Sequence, residues 1–110
     1  MAKVYVVEHG VSKMYVEYGG HDRYEDSDWI EGIFDYEPSA VSFMITKSME
    51  KINTLVNSEY FVRPITSKNV KEGEAVYYAV TDPFGYTGCK YWMRYTSYDL
   101  QETKFEEGLA

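Results

Sequence analysis

Alternation between apolar and polar positions predicts two strands at the start of the chain. Residues 3–8 and 11–18 are rich in β-branched and aromatic side chains, which favour strands. In the second run apolar residues recur at every other position from Met14 to Tyr18, as expected of a strand with one face in a core. The His9-Gly10 segment between the runs predicts a turn, so the pattern indicates a β-hairpin.

This alternation ends at Gly19-Gly20, where a stretch dense in acidic and aromatic residues begins. Four apolar residues in the stretch have the spacing of one helical face: Trp29, Ile30, Ile33 and Phe34. We therefore expect residues 19–38 to form an irregular acidic loop that contains at most a short turn of helix.

The longest periodic pattern predicts a helix that begins at Pro38-Ser39. Apolar or small side chains recur there at intervals of three and four residues, with charged side chains on the opposite face. These positions are Val41, Met44, Ile45, Ser48, Met49, Ile52, Leu55 and Val56. Such an amphipathic helix is expected to pack across a sheet.

Three further strands are predicted after the helix. Residues 60–66 have strand composition, but Pro64 cannot donate a backbone hydrogen bond and so favours an edge position. Val76–Thr81 and residues 89–98 are predicted strands joined by turn-forming residues in a C-terminal hairpin. Residues 101–110 are a charged tail that we expect to be flexible.

The predicted order, β-β-α-β-β-β, indicates an α+β fold. Its core would be an antiparallel sheet of about five strands, with one amphipathic helix packed on one face. We expect a single domain over residues 1–110, because a chain of this length supports one core and not two ordinary domains.

Composition narrows the class of protein further. A hydrophobic fraction of 45% and an aromatic fraction of 17% exclude a disordered chain. The single cysteine, Cys89, excludes an internal disulfide, and the N-terminus lacks the features of a signal peptide, so we expect a cytoplasmic protein. No apolar run approaches the roughly 20 residues that a membrane span needs.

The negative charge is concentrated in one part of the chain. The net charge is −7, which disfavours direct binding to nucleic acid or to acidic lipid. Residues 22–37, named the acidic segment below, contain seven acidic residues and one basic residue, Arg23. This segment therefore carries almost all of the net charge.

Residues for catalysis, metal binding or cofactor binding do not occur in recognisable patterns. His9 and His21 both fall in predicted turns or loops, which does not place either beside Cys89 as the base of a catalytic pair. One cysteine and two isolated histidines do not provide a structural zinc site. When the acidic segment is aligned with the calcium-binding loop of an EF-hand, Ile30 falls at a position where an oxygen ligand is needed. The sequence also contains no phosphate-binding glycine motif. We expect neither a metal nor a cofactor.

The acidic segment is the first candidate for a partner-binding surface. Carboxylates spaced along a surface imitate a phosphate backbone, and rigid aromatic side chains serve as contact anchors. The predicted partner-binding residues are Asp22, Tyr24, Glu25, Asp26, Asp28, Trp29, Glu31, Asp35, Tyr36 and Glu37. The alternative is a solvated loop whose apolar residues only cover the core.

The C-terminal hairpin is the second candidate. Strand alternation places Lys90, Trp92 and Arg94 on one face, a combination that some sheet modules use to stack single-stranded nucleic acid. The overall negative charge opposes this interpretation. The twelve tyrosines are more than a core of this size needs. They favour a surface that becomes buried in an interface with a protein partner or with a second copy of this chain.

In size, acidity, tyrosine content and lack of a catalytic constellation, the chain resembles the small inhibitors that phages and mobile elements use against nucleic-acid-handling defence enzymes. These include anti-CRISPR proteins, anti-restriction proteins and other DNA mimics. The resemblance is one of general character and implies a non-enzymatic inhibitor or adaptor in the host cytoplasm that occupies a basic nucleic-acid site. The alternatives are a structural subunit that self-associates, for example as a homodimer, and a small hydrolase that uses carboxylates.

Overall fold

The computed structural model describes residues 2–16, 22–55, 59–81 and 87–100. Within these ranges the chain forms five strands and one helix in the order β-β-α-β-β-β. Their bounds are β1 Lys3–Val16, β2 Asp22–Phe34, α1 Glu37–Thr54, β3 Glu59–Val62, β4 Val76–Thr81 and β5 Thr87–Asp99. The strands form an antiparallel sheet in the order β2-β1-β5-β4-β3, with α1 on one face. The predicted α+β fold and element order are confirmed.

The first two strands, however, do not lie where the sequence predicted them. β1 is continuous, and His9-Gly10 lies in its middle, where His9 pairs with Trp29 of β2 and with Met93 of β5. The predicted hairpin was therefore wrong. A glycine within a strand pattern also occurs where another group approaches the backbone closely, and this is the role of Gly10 here.

β2 is formed by most of the acidic segment, so the predicted irregular loop was wrong for residues 22–34. β2 pairs with β1 along its length, with one irregularity at which Glu31 is the extra residue. Its many carboxylates are tolerated because β2 is an edge strand whose side chains remain largely in solvent. Charged side chains on an edge also hinder pairing with other chains. The predicted break at Gly19-Gly20 lies outside the described residues.

The helix agrees with its prediction. Tyr36 precedes it in an extended conformation, and Pro38 lies in the first turn, where a missing N–H group is harmless. The side chains that α1 buries are Ala40, Met44 and Ser48, and the Ser48 hydroxyl donates to the Ile45 carbonyl at 2.8 Å. Of the predicted apolar face, Met49 is 40% exposed, and Val56 lies outside the described residues. In the described part of the chain no helix is long and apolar enough to span a bilayer.

The core lies between α1 and the sheet. Its buried members are Val7, Ala40, Met44, Ile65, Tyr78, Ala79, Met93 and Tyr95. β4 contributes two consecutive core residues, because its register against β5 shifts between Tyr77 and Ala79 and leaves Tyr78 as the extra residue. This irregularity turns the large Tyr78 side chain towards β1 on the helix side of the sheet.

β3 is the second edge strand, as predicted, although it ends at Val62, before Pro64. The connection to β4 runs beside β5 and is fixed to it by polar contacts. The Gly73 N–H donates to the Tyr95 carbonyl at 2.8 Å, with Gly73 at a φ of 81° that favours glycine. Glu72 accepts hydrogen bonds from the Ser97 N–H and hydroxyl groups at 2.8 and 2.7 Å. Residues 101–110, the predicted flexible tail, lie outside the described residues.

Candidate functional site

The face of the sheet opposite α1, named the open face below, is not covered by any described element. Side chains alternate along β1, so that Val7 enters the core and its neighbours Val6 and Glu8 point to the open face. The register then places Ile33 beside Val6 and Ile30 beside Glu8. Ile30 is 62% exposed and Ile33 61% exposed. Tyr24, Tyr77 and Tyr98 are also exposed on this face.

The centre of the open face is a row of side chains that crosses four strands. Tyr77 of β4, Trp92 of β5, Gly10 of β1 and Asp28 of β2 are successive partners in this row. The next row contains Val80, Lys90, Ser12 and Asp26 in the same strand order. Asp26 and Asp28 therefore lie on the same side of the sheet as Trp92, at its β2 edge.

Gly10 allows the Trp92 ring to lie directly over β1. A Cβ atom placed on Gly10 would come within 2.1 Å of the Cε2 and Cζ2 atoms of Trp92, which is far inside van der Waals contact. Any residue with a side chain at this position would displace the indole. The glycine thus sets the position of the ring at the centre of the open face.

Arg94 is held beside this ring by an ion pair. Its Nη2 atom donates to both carboxylate oxygens of Glu8 at 3.0 Å, and its guanidinium lies 5.4 Å from the centroid of the Trp92 ring. Both partners of the pair are partly buried, which strengthens a charged hydrogen bond relative to an exposed one. The pair occupies the guanidinium of Arg94 and limits its availability to a phosphate.

Trp92, Arg94 and the two aspartates line a cleft of about 440 Å³ on the open face. Tyr77 and Ser12 also line this cleft. The Trp92 ring already has the Arg94 guanidinium over it, so the two aspartates supply the attraction for a further cation. Carboxylates form charged hydrogen bonds with arginine and lysine side chains. The cleft is therefore chemically suited to a basic side chain.

Comparisons of the chain with protein-family models, curated proteins and solved structures gave no match. What the site can bind is therefore inferred from its side chains and their geometry alone.

The residues predicted for partner binding are divided between the two faces of β2. Tyr24, Asp26 and Asp28 point to the open face. Glu25, Trp29 and Glu31 lie on the helix side, where Arg23 pairs with Glu25 at 3.6 Å. Asp35 and Tyr36 connect β2 to α1, Glu37 begins α1, and the side chain of Asp22 lies outside the described residues.

The acidic segment therefore does not form one continuous acidic surface. Glu31 accepts a hydrogen bond from the indole N–H of Trp29, and Glu37 accepts one from the Tyr95 hydroxyl at 3.1 Å. Among the described acidic side chains of β2, Asp26 and Asp28 share a face with the aromatic cleft. Ile30 and Ile33 do not cover the core, as the loop alternative supposed, because strand geometry turns them to the open face.

The predicted alternation in the C-terminal hairpin is confirmed. Met93 and Tyr95 are buried, and Lys90, Trp92 and Arg94 share the opposite face. The sequence did not indicate that β2 would bring carboxylates beside Trp92. Those carboxylates repel phosphate, which counts against direct binding of nucleic acid. The position of Gly10 beneath Trp92 was not predicted either. The signal that could have indicated it is a glycine inside an alternating strand pattern.

The alternative of a carboxylate-using hydrolase gains little from this geometry. Asp26 and Asp28 are neighbours on one strand face and both are exposed, whereas glycosidic cleavage needs two carboxyl groups on opposite sides of the bond. A general acid of this type also needs an apolar environment. Among the described residues no group of three histidine, cysteine, aspartate or glutamate side chains is placed to hold a metal ion.

A separate groove lies on the helix side, between α1 and β2. It has a volume of about 310 Å³, and its walls include His9, Trp29 and Lys51. His9 is only 5% exposed, and its ring lies 4.9 Å from the Trp29 ring. We name this cavity the His9 groove.

One nitrogen of the His9 ring is satisfied and the other is not. His9 Nε2 and the Tyr78 hydroxyl share a hydrogen bond, and burial raises the pKa of Tyr78, so that its hydroxyl remains protonated. The tautomer of the neutral imidazole decides which of the two atoms donates. Nδ1 is buried without a hydrogen-bond partner among the described residues. A buried polar atom without a hydrogen-bond partner costs about 1–3 kcal/mol.

Acidification below about pH 6.5 is expected to destabilise the protein through His9. Burial lowers the pKa of His9 from its ordinary value of 6.5, the Glu31 carboxylate partly offsets this effect, and Lys51 adds to it. The unfolded chain, with the higher pKa, binds the proton first. The free energy of unfolding is thus retained above pH 6.5 and falls below it, by at most about 1.4 kcal/mol per pH unit.

Urea unfolding between about pH 7.5 and about pH 5.5 measures this dependence without protonating most carboxylates. His9→Gln keeps a side-chain partner for Tyr78 and is expected to remove the His9 contribution to the slope. His21, the chain's other histidine, lies outside the described residues, so His21→Gln separates its titration from that of His9. An unchanged slope in His9→Gln would show that His9 is not responsible.

Proposed function

We propose that the protein is a non-enzymatic inhibitor or adaptor that binds a host protein through the open face. The observation that carries this proposal is the position of Trp92 over Gly10, beside Asp26 and Asp28, in an exposed cleft. An aromatic ring with carboxylates next to it binds arginine or lysine side chains. The partner therefore presents basic residues.

The extent of the open face supports a protein partner over a small ligand. Beyond the cleft, exposed apolar side chains continue along the sheet to Ile30, Ile33 and Tyr98. Interfaces between proteins combine such apolar and aromatic centres with polar rims, and tyrosine and tryptophan are enriched there. The protein's net charge of −7 also speeds its encounter with a positively charged surface.

A basic surface of this kind is typical of proteins that handle nucleic acids. We propose that this protein occupies the nucleic-acid-binding site of such an enzyme in the host cytoplasm, as phage-type and mobile-element-type anti-defence proteins of the anti-CRISPR or anti-restriction class do. In this proposal Asp26 and Asp28 take the positions of phosphates. The other carboxylates of the acidic segment raise the encounter rate and keep the edge of β2 from pairing with other chains.

Removal of the two aspartate charges is expected to weaken partner binding strongly. The test begins with identification of the partner by affinity capture from host lysate and continues with the purified partner. Asp26→Asn combined with Asp28→Asn should weaken binding at least about 100-fold, because each charged hydrogen bond contributes roughly 1.5–3 kcal/mol. Isothermal titration calorimetry at low and high salt, together with competition by the partner's nucleic acid, measures the loss.

The matched control removes the same two charges away from the cleft. Glu25→Gln combined with Asp35→Asn changes residues of the helix side and of the β2–α1 connection. Screening limits the expected loss of affinity to less than about threefold. Equal losses in the two double variants would mean that only net charge matters and would contradict the proposal.

Self-association through the same face is the second candidate, and it is favoured by the apolar group formed by Val6, Ile30 and Ile33. Two such faces packed together would bury these side chains without a foreign partner. Sedimentation velocity distinguishes the candidates. A dimer that forms in the purified protein alone, and that masks the cleft, would assign the open face to assembly.

A further inference from the structure

Lys90 is a charged side chain of the open face to which the proposed function gives no role. It lies on β5, the third of the five strands in the sheet, two residues from Trp92. Val80 and Ser12 are its neighbours in the row across the strands, and Asp26 follows Ser12 at the β2 edge. The Lys90 side chain is exposed, so its ammonium group faces whatever covers the open face.

The charge of Lys90 is not paired within the described part of the chain, where its side chain makes no ion pair, hydrogen bond or ring contact. The neighbouring cation on this face, Arg94, is paired with Glu8 at 3.0 Å. Asp26 and Asp28 likewise have no basic side chain within ion-pair distance among the described residues. The open face therefore presents unpaired charges of both signs, and not only negative charge.

These opposite charges are separated by one strand. Lys90 of β5 and Asp26 of β2 occupy the same row, with Ser12 of β1 between them. Neighbouring strands lie about 4.8 Å apart, so the two residues are separated by about 9.5 Å at the backbone. Because the serine side chain is short, the space between the two charged groups is open. A surface that complements this row has a basic group over β2 and an acidic group over β5.

A partner that binds at the cleft also covers Lys90. Lys90 lines a second cavity, of about 210 Å³, whose walls include Met14, Val80 and Gly88, and Ser12 belongs to this cavity and to the cleft. A protein interface typically buries about 800 Å² on each partner, which is far more than the cleft alone. Removal of water from an ammonium group is unfavourable unless another acceptor replaces the water. The partner therefore has to supply an acceptor for Lys90.

We propose that the partner's surface contains a carboxylate that pairs with Lys90, next to the basic residues that pair with Asp26 and Asp28. This inference rests on the proposed function, because it describes the partner of the same open face. A carboxylate forms a stronger hydrogen bond with an ammonium group than a neutral carbonyl group does. Lys90 would repel a surface that has only basic residues at this point, so it selects among the basic surfaces that the aspartates attract.

Charge reversal at Lys90 tests the proposal through the sign of its effect. With the purified partner obtained by affinity capture, Lys90→Glu is expected to weaken binding about 100-fold or more, because an attraction becomes a repulsion between like charges. Lys90→Gln should weaken binding about tenfold or more, because a charged hydrogen bond is lost. Stronger binding of Lys90→Glu in calorimetry would show that the partner presents only positive charge at this point, and would overturn the proposal.

The matched control is Lys13→Glu. Lys13 is exposed on the helix side of β1 and pairs with Cys89, the residue before Lys90. This substitution changes the net charge by the same amount on the other face of the sheet, so the affinity should change by less than about threefold. Equal effects of the two reversals would mean that Lys90 acts only through net charge, which contradicts a local pairing. Urea unfolding of both variants shows whether they are folded.

A charge exchange identifies the carboxylate on the partner. Each acidic residue in the partner's nucleic-acid site is replaced by lysine in turn, and each variant is titrated with the wild-type chain and with Lys90→Glu. One replacement should weaken binding of the wild-type chain and strengthen binding of Lys90→Glu about tenfold or more. If no replacement strengthens binding of Lys90→Glu, the partner has no carboxylate opposite Lys90 and the proposal fails.

The outcomes also separate this inference from the proposed function. If Asp26→Asn combined with Asp28→Asn weakens binding but Lys90→Glu strengthens it, the open face binds a basic partner and only the role of Lys90 is wrong. If the aspartate variant binds normally and Lys90→Glu binds weakly, the carboxylate opposite Lys90 is supported. The basic contact of the proposed function is then the part that is wrong.

Discussion

Replacement of Gly10 by alanine is expected to destabilise the protein by about 1–3 kcal/mol and to weaken partner binding by about 30-fold or more. The new Cβ atom would overlap the Trp92 indole, to which it would approach within 2.1 Å. The ring must therefore leave its position over β1, which removes the aromatic surface next to Asp28. Urea unfolding measures the first effect, and calorimetry with the identified partner measures the second.

The control for this prediction is the same substitution without the tryptophan. In a Trp92→Ala background the space over Gly10 is empty, and Gly10→Ala should be neutral or stabilising by up to about 1 kcal/mol, because glycine is unfavourable inside a strand. The two substitutions should therefore show a coupling energy of about 1–4 kcal/mol. An equal cost of Gly10→Ala in both backgrounds would show that the close approach of the ring is not the reason for glycine at this position.

Truncation of Met44 to alanine is expected to cost about 2–5 kcal/mol of unfolding free energy. Met44 is fully buried near the middle of α1, and its side chain belongs to the cluster that joins the helix to the sheet. A cavity at this point weakens the attachment of α1 to β1 and β5. Since domains of this size are typically stable by about 5–15 kcal/mol, the loss should be evident in the urea midpoint.

Met49 provides a matched control on the same helix. It is 40% exposed, so Met49→Ala should cost less than about 1 kcal/mol, and the higher helix propensity of alanine offsets part of that cost. Similar costs for the two substitutions would contradict the packing of α1 described above. A large loss confined to Met44→Ala would support it.

The two faces of the sheet present different chemistry because β2 is a strand. Alternation along β2 sends Asp26 and Asp28 to the open face and Glu25 to the helix side. The irregularity at Glu31 then places its carboxylate in the His9 groove. One acidic segment thus contributes to two separate cavities. Substitutions that test partner binding should therefore be grouped by the face of the sheet to which the side chains point, and not by their position along the sequence.

The helix and the C-terminal strands were the parts that could be predicted from the sequence. The face of α1 with Met44 and Ser48 follows from a repeat of three and four residues, which depends only on helix geometry. The alternation around Trp92 in β5 similarly depends only on the geometry of one strand. Both patterns are local, so they needed no knowledge of what packs against them.

The acidic segment was predicted wrongly because its conformation depends on a partner strand. Its carboxylates favour a loop by composition, but pairing with β1 along β2 satisfies the backbone hydrogen bonds, and the edge position leaves the charged side chains in solvent. Strand preference varies with such tertiary context more than helix preference does. Of the ten predicted partner-binding residues, those on the open face could be separated from the rest only after this pairing was known.

The sequence by itself determined the α+β class, the amphipathic helix, the concentration of negative charge and the shared face of Lys90, Trp92 and Arg94. Tertiary structure alone decided that Gly10 lies beneath Trp92 and not in a turn, and that Asp28 lies beside that ring. Residues far apart along the chain meet in these contacts, and the pairing of β1 with both β2 and β5 brings them together. The conformational preferences of short segments contain no information about such pairing, because the strands gain the free energy of pairing only when the sheet assembles.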